Sequence, residues 1–192
     1  LTINPANENE VFASSFFSGL LKIVDDVPTT LYNQNNSGLE TITFLGPNYF
    51  DVRINGAAFD KIGNLWVTNS RVKNGIKVLR SNGQWQKYTT ETALSASEDN
   101  SFSRMVIDKN GIKWMGTNRD GLLGFNENGA IFKKITAGSD TGNLPISDVR
   151  ALAIDTKNQL WIGTTKGLRV LSNVGSFCSV FLPLTVRSQY FY

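Results

Sequence analysis

Ile154-Asp155-Thr156-Lys157-Asn158-Gln159-Leu160-Trp161-Ile162-Gly163-Thr164-Thr165-Lys166-Gly167-Leu168 is the stretch from which the rest of the chain can be read. Two further copies lie upstream, Ile107-Asp108-Lys109-Asn110-Gly111-Ile112-Lys113-Trp114-Met115-Gly116-Thr117 and Phe59-Asp60-Lys61-Ile62-Gly63-Asn64-Leu65-Trp66-Val67-Thr68-Asn69. In each, an aspartate (Asp60, Asp108, Asp155) precedes a tryptophan (Trp66, Trp114, Trp161) by six residues, and successive tryptophans are 48 and 47 residues apart. A fixed period of about 50 residues is the signature of a repeat architecture and outranks any local reading.

Each copy parses as four short strands. An apolar run enters a turn in which the aspartate bonds its own backbone and a Gly or Asn accepts positive φ. Next comes Leu-Trp-Ile-Gly-Thr or its variant, apolar on both alternating faces and therefore buried on both sides. A third strand follows Gly75, Gly121 or Gly167, and a fourth closes the unit, as in Gln84-Trp85-Gln86-Lys87-Tyr88. Four antiparallel strands per unit describe a propeller blade. The expected fold is all-β, without a helix beyond a turn or two. Strands are expected over 10–15, 19–23, 53–59, 64–69, 75–80, 103–108, 112–117, 121–126, 149–154, 159–164 and 167–171.

In chain order, residues 1–35 form a degenerate first repeat in which Phe12 takes the tryptophan place, Gly19-Leu20-Leu21-Lys22-Ile23 matches Gly75-Ile76-Lys77-Val78-Leu79, and Pro5-Ala6-Asn7-Glu8-Asn9 replaces the aspartate turn. Residues 33–52 read as a linker rich in Asn and Gly. The second, third and fourth blades are placed at 53–88, 103–136 and 148–173, separated by the polar loops 89–101 and 137–147. Residues 174–192 are an atypical tail: 177–184 and 186–192 are candidate outer strands, but neither resembles the earlier fourth strands. Four blades are the fewest that close a propeller. The chain is therefore read as a partial propeller, about four four-stranded blades cut from a larger ring, with two exposed faces meant for the remaining blades.

Composition narrows the chemistry. The 192 residues are 41% apolar, ordinary for a globular domain, and the net charge of +3 is too mild to argue for nucleic acid. There is no histidine, which removes His-based nucleophile activation and His-containing zinc sites, and the single cysteine, Cys178, forms no internal disulfide. No apolar run is long enough to insert in a membrane. No N-terminal targeting segment is visible, so a signal peptide is expected upstream.

The Asp-x-x-Gly-x-Leu-Trp-Ile-Gly-Thr…Gly-Leu unit resembles the two-component-regulator propeller repeat. Taken in order, Glu10-to-Tyr32, Arg53-to-Leu79, Asp108-to-Gly129 and Asp140-to-Leu171 are similar to the PorZ-type propeller proteins of the type IX secretion system. That resemblance implies two seven-bladed propellers and a C-terminal β-sandwich signal domain in the full protein. It also implies a periplasmic or cell-surface location, an attachment complex shared with a cysteine-peptidase-like sortase, and delivery of an anionic lipopolysaccharide to that sortase. No catalytic residue comes with it, and residues 174–192 inherit nothing.

Trp66, Trp114 and Trp161 are read as filler between blades rather than a sugar site, because bulky aromatics dominate buried contacts. Asp60, Asp108 and Asp155 are read as turn formers. Their neighbours fall short of the 6–8 oxygens that calcium takes, and so do Asp140-Thr141-Gly142-Asn143 with Asp148. No metal or cofactor is expected. Asp25-Asp26 is read as a solvated turn and 126–129 as a hairpin turn. One series stands out: Arg71, Arg119 and Lys166 each follow a tryptophan by five residues, in the turn between second and third strands, and Arg53, Arg104 and Arg150 open the first strands. In an up-and-down sheet those places share an end, so the six cations are expected to ring one face with accessible, unpaired heads and to concentrate anions. Phe17 breaks the series in the first repeat.

The function expected is a non-enzymatic binding and scaffold module whose partners are secretion-complex proteins or an acidic glycan. The alternative is the ligand-sensing propeller ectodomain of a hybrid two-component histidine kinase. A carboxylate-only lyase or glycosidase would need two carboxylates facing one cleft, about 5–10 Å apart, and the repeat places no such pair.

Overall fold

The computed structural model describes residues 1–138, 143–172, 174 and 186–188. Among them are sixteen strands in four four-stranded antiparallel sheets, and the helical elements are single 3-10 turns at Ser97–Asp99 and Asn128–Ala130. The chain divides into two compact units, Leu1–Phe102 and Ser103–Tyr192.

The first unit holds two meanders. One runs β1 (Thr2–Asn4), β2 (Asn7–Ser14), β3 (Leu20–Val24), β4 (Val27–Tyr32); the other runs β5 (Arg53–Phe59), β6 (Leu65–Ser70), β7 (Ile76–Leu79), β8 (Trp85–Tyr88). Phe12, Leu20, Val52, Ile54, Leu65 and Val67 form their shared core. The second unit repeats the plan with β9 (Phe102–Ile107), β10 (Lys113–Thr117), β11 (Leu122–Asn126), β12 (Ile131–Ile135), then β13 (Val149–Ile154), β14 (Leu160–Thr164), β15 (Gly167–Leu171), β16 (Val186–Ser188). Its core gathers Trp114, Leu122, Ile135, Val149, Leu160 and Ile162, among others.

Burial follows the sequence pattern. All six residues of β6 and all five of β10 are buried, as expected for second strands apolar on both faces. The outer strand β8 is exposed at its middle pair, Gln86 and Lys87. Register places the repeat residues alike: Trp66 pairs with Ala58 and Val78, Trp161 with Ala153 and Val170, and Phe12 with Thr2 and Lys22. Gly19 and Gly121 open third strands at φ 95° and 78°, and a Cβ at either would collide with the carbonyl oxygen of Tyr32 or Ile135. No other residue fits there.

Some expectations change and others are filled in. Only Pro5 and Ala6 turn between β1 and β2; Asn7 to Asn9 already belong to β2. Strands β1, β4 and β12 complete the four-stranded units expected, at places for which the sequence pattern gives no range. Residues 33–52 connect the first two sheets as expected, and the connection is packed, with Leu39, Ile42, Asp51 and Val52 buried. In the tail, Val186–Ser188 pairs with β15, whereas 177–184 lies outside the described residues. The tryptophans are also unequally covered. Trp66 and Trp114 are fully enclosed, but Trp161 is half-buried. Trp66 is closed over by the Tyr88 ring, stacked at 5.8 Å, and by the Arg80 guanidinium at 5.4 Å.

Trp66→Ala and Trp114→Ala should each lower the unfolding free energy by about 3–5 kcal/mol, and Trp161→Ala by less. Denaturant melts of the three variants check this; equal costs for all three would show that the difference in burial carries no weight.

Candidate functional site

The aspartate turns repeat atom for atom. The Oδ1 of Asp60 accepts from the backbone N–H of Ile62 and Asn64, that of Asp108 from Asn110 and Ile112, and that of Asp155 from Lys157 and Gln159, all at 2.8–3.1 Å. The Oδ2 accepts the indole N–H six residues on, at 2.8 Å from Trp66, 3.0 Å from Trp114 and 3.1 Å from Trp161. Gly63, Gly111 and Asn158 hold the positive φ the turn requires, at 82°, 81° and 59°. Burial pushes the Asp60 carboxyl up, but the bonds from Trp66, Asn64 and the backbone together hold it below its ordinary 3.8. Asp155 is lowered by the Gln159 backbone N–H first and the Trp161 indole second. Every carboxylate oxygen here is committed to structure, which leaves nothing for an ion.

The cations must be taken unit by unit. In the first, Arg53 pairs across the sheet with Ser70, next to Arg71, so both lie at one end of the sheet. Arg53 is not accessible, however: its Nε and Nη2 donate to Oδ2 of the buried Asp51 at 2.9 and 2.7 Å, and it lies over the rings of Phe16 and Phe17. Arg71, at φ 63°, donates from Nε to the Glu98 carbonyl and covers the Phe44 ring at 4.4 Å. In the second unit, Gly116 at the end of β10 abuts Ser103 and Val149 at the starts of β9 and β13, which brings Arg104, Arg119, Arg150 and Lys166 to a common end. Arg104, Arg119 and Lys166 are exposed. Arg150 is clamped by Asp148, 2.6 Å from its Nε. The expectation of unpaired heads therefore fails for Arg53 and Arg150. The signal was in the sequence: Asp51-Val52-Arg53 and Asp148-Val149-Arg150 place acid and base two apart, on one strand face. Arg104 has Phe102 in the acid's place.

Two further features were not foreseen. Glu40, in the connection, gathers Asn74 Nδ2 at 2.8 Å, Lys77 Nζ at 3.0 Å and Lys87 Nζ at 3.2 Å. Lys77 is wholly buried and sits at ion-pair distance without a well-angled hydrogen bond. Burial lowers its pKa to about 8, against the pull of Glu40. The second feature is a set of exposed aromatics beside Arg53 and Arg71. The possible oxygen cluster at 140–143 lies outside the described residues except Asn143. No group of three or more His, Cys, Asp or Glu that could hold a metal occurs among the described residues, and no described helix is long and apolar enough to cross a membrane.

Comparison with known proteins agrees with this geometry. Residues 143–166 match the family model of the two component regulator propeller. No curated protein matches the sequence. Among solved structures the chain is similar to PorZ, an essential bacterial surface component of the type-IX secretion system of Porphyromonas gingivalis, with a TM-score of 0.80 and 21% identity over 97% of this chain. It spans about a quarter of that protein, 26% of its length. It is also similar to the extracellular domain of a protein described as a hybrid two component system from B. thetaiotaomicron, with a TM-score of 0.63 and 16% identity over 84% of this chain and 20% of that one. A third similar structure is a catalytically inactive histidine-to-alanine variant of virginiamycin B lyase from Staphylococcus aureus, with a TM-score of 0.55 and 14% identity over 80% of this chain and 44% of the lyase. The fold is thus a partial β-propeller of four blades.

Because Asp60 and Asp155 titrate below their ordinary value when folded, the stabilisation they give is complete above the unfolded pKa and is lost as pH falls through the folded one. Unfolding free energy measured against pH should drop below about pH 4, and less steeply in the Asp60→Asn/Asp155→Asn double variant. An unchanged acid slope in that variant would assign the loss to other carboxylates.

Proposed function

We propose that the chain is a non-enzymatic binding and scaffold module of the PorZ kind, one part of a larger propeller at the periplasmic or outer face of a bacterial cell. In this reading it holds other proteins of a secretion complex. It also presents an acidic glycan, of the anionic lipopolysaccharide type, to the sortase of that complex. The observation that carries the reading is the extent of the likeness to PorZ, TM-score 0.80 over 97% of the chain, against 0.63 over 84% for the sensor ectodomain.

The glycan contact is assigned to the second unit, to Arg104, Arg119 and Lys166, exposed at one end of neighbouring sheets. Arg150 contributes less because Asp148 neutralises it. In the first unit Arg71 is the remaining candidate and Arg53 drops out. The sensor-ectodomain reading is favoured by one observation, the two component regulator propeller match over 143–166. It predicts a neutral oligosaccharide ligand, with binding insensitive to salt.

Replacing Arg104, Arg119 and Lys166 together by Glu should weaken binding of an anionic lipopolysaccharide by at least about tenfold, because the sign of the local field reverses. Binding by the unaltered chain should fall with added salt, since exposed charges are screened over about 8–10 Å. Stability should change by no more than about 0.5 kcal/mol per site. Unaltered affinity in the triple variant, measured by calorimetry, would refute the glycan assignment.

A further inference from the structure

Six of the twelve large apolar side chains exposed among the described residues gather at one end of the first unit. They are Phe16 (49% exposed), Phe17 (56%), Phe44 (41%), Leu45 (50%), Tyr49 (42%) and Phe50 (64%). Two loops supply them, the β2–β3 turn and the connection between β4 and β5. The loops are joined by backbone: Val52 N–H donates to Phe17 O and Gly19 N–H to Val52 O, both at 2.9 Å, while Ile54 N–H donates to Ser15 O at 3.0 Å. The connection is pinched at its base, where Ile42 N–H donates to Asp51 O and Asp51 N–H to Thr41 Oγ1. Beyond that pinch it turns on itself through Gly46 N–H to Thr43 O and Tyr49 N–H to Gly46 O. It has buried feet, Leu39, Ile42 and Val52, and an apolar projecting tip. A set of exposed apolar groups this concentrated marks an interaction surface.

The charges around the tip indicate what covers it. From Thr41 to Phe50, and from Ser14 to Gly19, the sequence carries no charged side chain. The groups stacked on the rings are guanidiniums, Arg53 over Phe16 at 4.7 Å and Arg71 over Phe44 at 4.4 Å. The nearby acid, Asp51, is neutralised by Arg53. Beside the base lies a cleft of about 190 Å³, lined by Thr43, Arg71, Lys73 and Asn74 on one hand and by Glu40 and Glu98 on the other. Glu40 is already held by Lys77 and Lys87, and Lys73 stands 3.4 Å from Glu91. An uncharged aromatic tip with cations one layer behind it, and a small two-signed cleft at that level, matches the layering of a phospholipid surface.

We infer that this end of the first unit docks on a phospholipid bilayer. Phe44, Leu45, Tyr49 and Phe50, flanked by Phe16 and Phe17, enter the interfacial layer. A headgroup phosphate meets Arg71 and Lys73 in the cleft, and the ammonium of a phosphoethanolamine meets Glu98. The exposed side chains of the tip are mainly aromatic and aliphatic, with Thr43 and Asn48 the polar ones among them, which favours lipid over a peptide or protein surface. The inference shares Arg71 with the glycan reading and is otherwise independent of it.

The test is co-sedimentation of the full chain with vesicles of phosphatidylethanolamine and phosphatidylglycerol. The unaltered chain should bind. Phe44→Ser/Tyr49→Ser/Phe50→Ser should reduce binding by about tenfold or more, since burial of the apolar tip supplies most of the attraction, and Arg71→Gln/Lys73→Gln several-fold. The loop variant, which touches no residue of the glycan reading, should keep lipopolysaccharide binding through Arg104, Arg119 and Lys166, so that failure of either reading is visible by itself. Absence of vesicle binding by the unaltered chain, or equal binding by the loop variant, overturns the inference. So does loss of self-association in the loop variant without any vesicle binding, which would make the tip a contact between copies.

Discussion

One hydrogen bond recurs in three of the four sheets and ties turn to core: the indole N–H of Trp66, Trp114 or Trp161 on the carboxylate six residues earlier. Its geometry does two jobs with one side chain. One carboxylate oxygen closes the turn between first and second strands by accepting two backbone N–H groups. The other receives the tryptophan that the second strand delivers to the interior. An enclosed indole without an acceptor costs about 1–3 kcal/mol, so a one-residue slip in the turn would both break the bond and turn the ring to the other face. The turn thereby sets the register of the sheet. The first sheet shows the converse. Phe12 has no N–H to satisfy, and the residue six before it is Ala6, with no carboxylate. Donor and acceptor are missing together, and Phe12 instead packs edge-on against Phe59 at 5.8 Å.

That coupling explains what could be read from the sequence. Aspartate, turn glycine and tryptophan sit at fixed offsets, and the second strands between them are apolar on both faces, so second and third strands were placed within a residue or two. Outer and edge strands were harder. Val27–Tyr32 reads VPTTLY and is mostly exposed, and Asn7–Ser14 begins NENE with its first three residues exposed; an exposed stretch needs no apolar pattern to be a strand. The packing of the connection 33–52 was not legible for a related reason. Its few anchors, Leu39, Ile42 and Val52, are scattered among Asn, Gly and Thr without a period, yet each is buried.

For the cations, the repeat told which end of the sheet each occupies and nothing of its partners. Arg71, Arg119 and Lys166 lie in turns and Arg53, Arg104 and Arg150 at strand starts, as the offsets require. Whether a guanidinium is available is decided by the neighbour two residues back, aspartate before Arg53 and Arg150 but Phe102 before Arg104. The aromatic loop tip escaped because exposure of an apolar residue is a property of the folded chain. In the sequence nothing separates Phe44 to Phe50 from the rest of the connection; the pinch at Ile42 and Asp51 sets them apart. The sheets are thus held by buried carboxylate–indole pairs, while the exposed chemistry is gathered on the loops at the opposite end, where it can vary without disturbing register.

The dependence on the carboxylate–indole bond is tested most directly by hydrogen exchange at the indole N–H groups, followed by NMR at neutral pH. The resonances of Trp66 and Trp114 should exchange only as their units unfold, with Trp161 somewhat faster. Asp108→Ala should release Trp114 alone while Trp66 keeps its protection. Exchange of Trp66 and Trp114 at the rate of a free indole in the unaltered chain, or protection of Trp114 undiminished in Asp108→Ala, would contradict the account.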